Sequence, residues 1–296
     1  MRDNNAVLAG AEIVSHQQKT ILITGCSSGI GLCSAHALKQ RGYRVFATAR
    51  HEQDVDALLA NGLEALQLDL QDSESIQLAV ETLLTRTNGQ LYALFNNGAY
   101  GQPGAVEDIP TDVLRAQFET NLFGWHELTR HIIPIMRNQG EGRIIQNSSV
   151  LGLVVMAYRG AYNASKFALE GLTDTLRLEL HNSGIHVCLI EPGPIKSQFR
   201  ANAYRMWKEN IDATESVHQE HYQMMVQRLE KKGAATPFTL PPESVVERLI
   251  HALESPRPKA RYYVTFPTYL FGTLKRLLTT RAMDRLLLKA SGSGSR

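Results

Sequence analysis

The sequence is short of cysteine: three in 296 residues, Cys26, Cys33 and Cys188, with no C-x-x-C spacing. An odd set without that spacing excludes a disulfide scaffold and fits a reducing compartment, so the expected location is cytoplasmic. Long apolar runs are also missing. None reaches the roughly 18–20 residues that cross a bilayer, so no transmembrane segment is expected. The first 19 residues lack the apolar stretch of a secretory signal and are expected to form a flexible N-terminal arm; SGSGSR (291–296) is expected to be a flexible tail. Charge of one sign is absent too. The 31 Lys+Arg nearly balance 29 Asp+Glu, a net charge of +2, which gives no reason to expect nucleic acid. Hydrophobic residues at 43% and charged residues at 20% exclude a disordered chain. There is no internal repeat and no low-complexity linker, so 20–290 is expected to be one large domain.

What is present is alternation. Short β-branched runs at 20–25, 43–48, 63–69, 91–97, 142–149, 185–192 and 261–266 are separated by helical patterns at about 29–41, 52–60, 73–87, 111–138, 161–182 and 242–254. Several runs are apolar throughout, as in parallel strands covered on both faces. The expected fold is α/β: a single Rossmann-like, doubly wound parallel sheet of about seven strands with helices on both faces. Residues 197–240 break the alternation and are expected to form a helical lid over the carboxyl ends of the strands. A C-terminal helical segment is expected over 267–290.

The first strand runs into Thr24-Gly25-Cys26-Ser27-Ser28-Gly29-Ile30-Gly31 and then a helix. Glycines at such a turn let the backbone approach a pyrophosphate, and the helix N-terminus offers N–H groups and a positive dipole end. The spacing is G-x-x-x-G-x-G; no Lys-Ser/Thr follows, so it is not a P-loop. Four further motifs follow in order: LFNNGAYG (94–101), Asn121 in a helical pattern, Ser149 with Tyr162-Asn-Ala-Ser-Lys166, and EPGPIKS (191–197). Over about residues 18–200 this set resembles the short-chain dehydrogenase/reductase family. Its CSSGIG, YNASKFALEG and LIEPGPI segments are similar to those of the branch holding 17β-hydroxysteroid and retinol dehydrogenases and bacterial NADP-dependent aldehyde reductases. One departure is visible: Asn-Asn-Gly-Ala at 96–99 exchanges the last two residues of the family's order.

Tyr162 and Lys166 lie four apart and share a helix face. A phenol with a pKa near 10 is a poor base at neutral pH, and bringing it to about 7 needs roughly 4 kcal/mol of differential stabilisation. The Lys166 ammonium is expected to supply much of that. The resemblance implies that Ser149 hydrogen-bonds the reacting carbonyl and Tyr162 exchanges its proton. It also implies that Lys166 holds the nicotinamide ribose and that Asn121 anchors a relay water. Ser148, its neighbour, is expected to be a strand-end hydrogen bonder. The cofactor set so implied is Gly25, Ser27, Ser28, Gly29, Ile30, Gly31, Arg50, Asp69, Leu70, Asn97, Gly98, Tyr162, Lys166, Pro192, Gly193, Ile195 and Ser197.

Where an NAD enzyme places Asp or Glu at the end of strand two, this chain has Ala49 and then Arg50. A guanidinium there binds a 2′-phosphate, so NADP(H) is the expected cofactor. Phe199, Tyr204, Met206, Trp207, Met224 and Met225 give the lid an apolar inner surface, and Phe199, Tyr204, Trp207 and Met224 are expected to line the substrate pocket. The expected activity is therefore NADP(H)-dependent interconversion of an apolar aldehyde or ketone and its alcohol. Alternatives are a hydroxysteroid or retinol dehydrogenase proper, a sugar-nucleotide epimerase or dehydratase, and a catalytically silent nucleotide-sensing module. His218 and His221 are read as surface histidines, with no metal expected. The basic, leucine-rich stretch 273–290 is expected to fold onto its own domain, peripheral membrane contact being the lesser reading. Pairing of the long helices implies a homodimer or homotetramer.

Overall fold

The structure, a computed structural model, describes residues 18–291 except 232, 234 and 235. The arm expected over 1–17 and the tail over 292–296 lie outside the described residues. Gln18 and Lys19 are not part of a loose arm: Gln18 donates to the Gly42 carbonyl at 2.9 Å, and the Lys19 ammonium sits 3.8 Å above the Tyr92 ring. Ser291 closes the last helix rather than opening the tail.

Seven strands form one sheet: β1 (Thr20–Ile23), β2 (Arg44–Ala49), β3 (Glu64–Gln67), β4 (Ala93–Asn96), β5 (Gly142–Asn147), β6 (Ile185–Glu191) and β7 (Arg261–Tyr263). Their order is β3-β2-β1-β4-β5-β6-β7 and every pairing is parallel, a Rossmann-like doubly wound sheet. The order reverses between β1 and β4, which opens a crevice at their carboxyl ends.

The apolar runs alternate between two cores. Ile21, Ile23, Ala93 and Phe95 face the side covered by α1 (Gly29–Gln40) and α9 (Glu243–Glu254), near α2 (Glu52–Ala60). Leu22, Phe46, Leu94 and Ile144 face α3 (Ser73–Arg86), α5 (Gly124–Gln139) and α6 (Gly160–Glu179), where Trp125, Leu128 and Ile132 are fully buried. Each such side chain contributes about 1.5–3 kcal/mol, so both faces hold the register.

The helix expected over 111–138 is interrupted. α4 (Thr111–Phe118) passes through a π turn at Glu119–Phe123 before α5 begins. Two amides explain the wider turn: Asn121 and Gln117 both donate to the Tyr100 carbonyl, at 2.9 and 3.0 Å. Gly124 then lies so close to Leu70 that a Cβ would stand 2.0 Å from the Leu70 carbonyl oxygen.

The segment after β6 holds α7 (Phe199–Asn210) and α8 (Gln219–Glu230), and leaves and rejoins the body where Ile195 bridges to Leu240. The C-terminal stretch is two helices, α10 (Phe266–Leu277) and α11 (Thr280–Ser291), because Leu278 turns extended (ψ 147°). Met283 and Leu287 of α11 pack on Val154 beside the crevice. No helix among the described residues is long and apolar enough to cross a membrane.

Candidate active site

The crevice is a cleft of about 550 Å³ with the β1–α1 turn on one wall and α6 with the β6 loop on the others. Gly25 has φ +70°, and a Cβ on it would lie 2.5 Å from the Gly98 Cα; on Gly31 a Cβ would lie 2.2 Å from the Gly25 carbonyl oxygen. The turn, α1 and the β4 loop therefore meet backbone to backbone, which only glycine permits. Thr24 locks the meeting, its hydroxyl accepting the N–H groups of Asn97 and Gly98 at 2.8 Å each. The Gly-Ala exchange at 98–99 carries no backbone strain, since neither residue has a positive φ.

Ser27, Ser28, Gly29 and Ile30 line the cleft at the N-terminus of α1. Ser28 makes no side-chain cap and the first turn holds no acid, so the N–H groups and the positive dipole end are left for an anion. That fits a dinucleotide pyrophosphate. Asn97, Gly98, Tyr162, Lys166, Pro192, Gly193, Ile195 and Ser197 line the same cleft.

Of the remaining residues expected to hold the cofactor, Gly25 lines the cleft, but Gly31, Arg50, Asp69 and Leu70 are not part of its lining. Gly31 is used in packing. Arg50 is exposed beside His51, with 3.2 Å between guanidinium and ring nitrogens. Asp69 accepts the Gln71 N–H at 3.0 Å, and Leu70 is buried beneath Gly98.

Tyr162 and Ser149 line the cleft together, and Ser149 Oγ accepts the Leu151 N–H at 3.1 Å. The adjacent Ser148 is committed elsewhere, donating to the buried Glu170 carboxylate. Glu170 is held in turn by Arg261, which also binds Glu191 and Asp174. Lys166 is buried and donates to the Asn147 carbonyl at 2.8 Å; Asn147 donates to Asn97 at 2.8 Å.

The electrostatics differ from the expectation for the tyrosine. Burial pushes Tyr162 up to about 12, against the opposing pulls of the Ser149 hydroxyl and the Arg159 charge. Lys166 does not bring the phenol's pKa toward neutral pH in the protein alone. Burial brings Lys166 itself down to about 7, opposed by the Glu170 charge. Asn121 spends its amide on the protein, accepting the Tyr100 N–H at 3.2 Å while donating to the Tyr100 carbonyl. Its side chain is thus a scaffold, and the π turn is what shapes the backbone there.

Of the four residues expected to line the substrate pocket, one lines this cleft and three lie elsewhere. Phe199 lines the cleft, edge-on to Tyr162 with ring centroids 5.3 Å apart. Tyr204 and Trp207 stack on one another at 6.2 Å and join Ile211 and Tyr222 in a small core of the lid itself. Met224 lines a separate cavity of about 330 Å³. A helical period shows that a face is covered but not by what. His218 and His221 both pack on Tyr158, and His218 meets Glu107 at 2.6 Å, so they tie α8 to the body. No group of three potential metal ligands exists among the described residues.

Arg159 and Arg228, which the sequence reading passed over, both line the cleft. A signal for the first was present: Arg159 caps the N-terminus of α6, where a cation opposes the helix dipole.

The short-chain dehydrogenase family model matches residues 19–208. An uncharacterized oxidoreductase of Escherichia coli (strain K12), YbbO, is 43% identical over 270 residues, 91% of this chain and 94% of that protein. Human 17-beta-hydroxysteroid dehydrogenase type 1 is 34% identical over 259 residues, 83% of this chain and 77% of the relative. A short-chain dehydrogenase from Streptomyces avermitilis superposes with a TM-score of 0.75 at 28% identity, covering 96% of this chain and all of the other (100%). With the glycine turn, the Tyr-x-x-x-Lys helix and the parallel sheet in place, the chain belongs to the short-chain dehydrogenase/reductase family and is an oxidoreductase of the kind that binds a nicotinamide cofactor.

Proposed function

We propose that the chain is an NADP(H)-dependent reductase that interconverts an apolar aldehyde or ketone and its alcohol. The observation that carries this reading is that Tyr162, Ser149 and Lys166 line one cleft with the glycine turn. The cofactor, when bound, supplies or accepts the hydride. The pyrophosphate is assigned to Ser27–Ile30, and the ribose to Tyr162 and Lys166. Asn97, Gly98, Pro192, Gly193, Ile195 and Ser197 complete the nicotinamide side, while Arg50, Asp69 and Leu70 serve the adenosine end.

The side chains then divide the proton work. Tyr162, kept neutral by burial, is a donor to the oxygen of a carbonyl undergoing reduction. Ser149 directs a second hydrogen bond to that oxygen. Lys166, with its pKa near 7, exchanges a proton with the phenol side at physiological pH. Asn121 and its π turn position the far end of that relay. Phe199, Val150, Leu151, Met156 and Leu229 supply apolar contact for the substrate. Residues 20–290 act as one domain with 197–240 as its lid, and the free thiols suit the cytoplasm.

The test is NADPH oxidation across aldehydes of increasing chain length. Efficiency should rise as each methylene adds up to about 0.8 kcal/mol of burial. Tyr162→Phe should cut turnover by roughly 10²–10⁴-fold while keeping NADPH bound. A flat series, or an active Tyr162→Phe variant, overturns the proposal.

A further inference from the structure

Two arginines, Arg159 and Arg228, share the cleft of Tyr162 without a carboxylate partner among the described residues. Arg159 stands at the N-terminus of α6 and Arg228 in the last turn of α8. Both are half-buried and both line the cleft. Among the described residues neither takes part in an ion pair, whereas Arg41, Arg44, Arg177 and Arg261 all sit on carboxylates. Arg200 beside them is anchored to the carbonyls of Arg228 and Gly233, but the guanidiniums of Arg159 and Arg228 have no such bonds. Burial, then the Arg228 charge, lowers the Arg159 pKa to about 10; burial, then Arg200, lowers that of Arg228. Two like charges partly removed from bulk water, Arg159 also lying against the α6 dipole, are unfavourable until an anion arrives.

Location indicates what carries the anion. Behind the pair lies the 330 Å³ cavity, and Met156, Arg159, Arg228 and Thr236 line both spaces. Its farther lining includes Met224, Met225, Ala290 and Lys289. No acidic residue lines either space among the described residues. The glycine turn, where the cofactor's pyrophosphate belongs, contributes nothing to the second cavity. An anionic group held at Arg159 and Arg228 therefore sits where the cleft of Tyr162 meets the second cavity.

We propose that Arg159 and Arg228 are specificity-determining residues that read a carboxylate on the apolar substrate, remote from its reacting carbonyl. Guanidinium forks suit a planar carboxylate, and the apolar walls between take the connecting chain. The proposal rests on the reductase reading of the cleft and narrows its substrate to an oxo acid.

The experiment uses the full chain with NADPH and two substrates, a medium-chain aldehyde and the ω-oxo acid with the same carbon count. The oxo acid should be favoured in kcat/KM by about tenfold or more, mainly through KM, and the advantage should shrink as salt rises. Arg228→Met should bring the ratio toward one, and Arg228→Lys should restore part of it. Calorimetry without turnover provides the second readout: a saturated carboxylate of that length should bind, its alcohol should bind more weakly, and Arg228→Met should remove the difference. A ratio of one in the unmutated protein, with equal binding of acid and alcohol, overturns the proposal. So does a loss of NADPH affinity in Arg228→Met as large as the loss toward the oxo acid, because the pair would then serve the cofactor. If neither substrate is reduced but the acid still binds through Arg228, the reductase reading fails and the carboxylate site stands.

Discussion

Ser148 and Ser149 are neighbours with opposite commitments, and substituting each by alanine should separate stability from turnover. Ser148 donates to Glu170 in a buried network that includes Arg261. Its loss removes a hydrogen bond to a charged group, worth about 1.5–3 kcal/mol. At roughly 2 °C per kcal/mol for a chain of this size, Ser148→Ala should lower Tm by about 3–6 °C. Its hydroxyl is committed to Glu170, so turnover should stay within a few-fold. Ser149 accepts one backbone N–H and lines the cleft with Tyr162. Ser149→Ala should cost no more than about 1.5 kcal/mol of stability. Its turnover should fall by roughly 10²–10³-fold, the cost of removing one donor to a developing oxyanion. Differential scanning calorimetry and NADPH oxidation on the same preparations read both effects. If Ser148→Ala is the inactive variant, or both lose activity alike, the division of roles is refuted.

Cofactor choice should follow Arg50: the unmutated chain should prefer NADP(H) by at least about tenfold, or 1.4 kcal/mol, and Arg50→Ala should erode that ratio in steady-state kinetics without harming NADH turnover. Equal efficiency with both cofactors beforehand would contradict it. Exposed Leu114, Phe123, Leu172 and Leu178 lie along α4 to α6, the last with 69% of its surface exposed. Light scattering should find a homodimer or homotetramer, and Leu178→Asp should weaken it; a monomer at micromolar concentration would end that expectation. Burial, then the Glu170 charge, holds the Glu191 carboxyl well above the usual carboxylate range. The folded chain thus keeps a proton that the unfolded chain releases. Stability from this group is complete below the ordinary glutamate value near 4.3 and is lost as pH rises toward the raised one. Melting curves from pH ~5 upward should fall more steeply for the unmutated protein than for Glu191→Gln, and parallel curves would exclude the linkage.

Much of this protein was determined by its sequence. Ile21, Leu22 and Ile23 are buried on alternate faces, and such a run has no stable place except a strand covered on both sides. Gly25 and Gly31 are legible because a Cβ at either position collides with backbone, and the four-residue spacing of Tyr162 and Lys166 fixes their common helix face. The ends of elements and the partners of side chains depended on tertiary contacts. The π turn exists because Asn121 and Gln117 meet the Tyr100 carbonyl, a neighbour fixed by the β4 loop. Tyr204 and Trp207 face the lid's own core because Tyr222 comes round on α8 to meet them. The tyrosine's acidity was set by burial, which no local spacing encodes. Arg159 and Arg228 are separated in the chain by α6, β6 and most of the lid, and share one cleft only in the folded chain. A sequence records each charge, but the field where two charges meet is a property of distance and dielectric, which only the folded chain supplies.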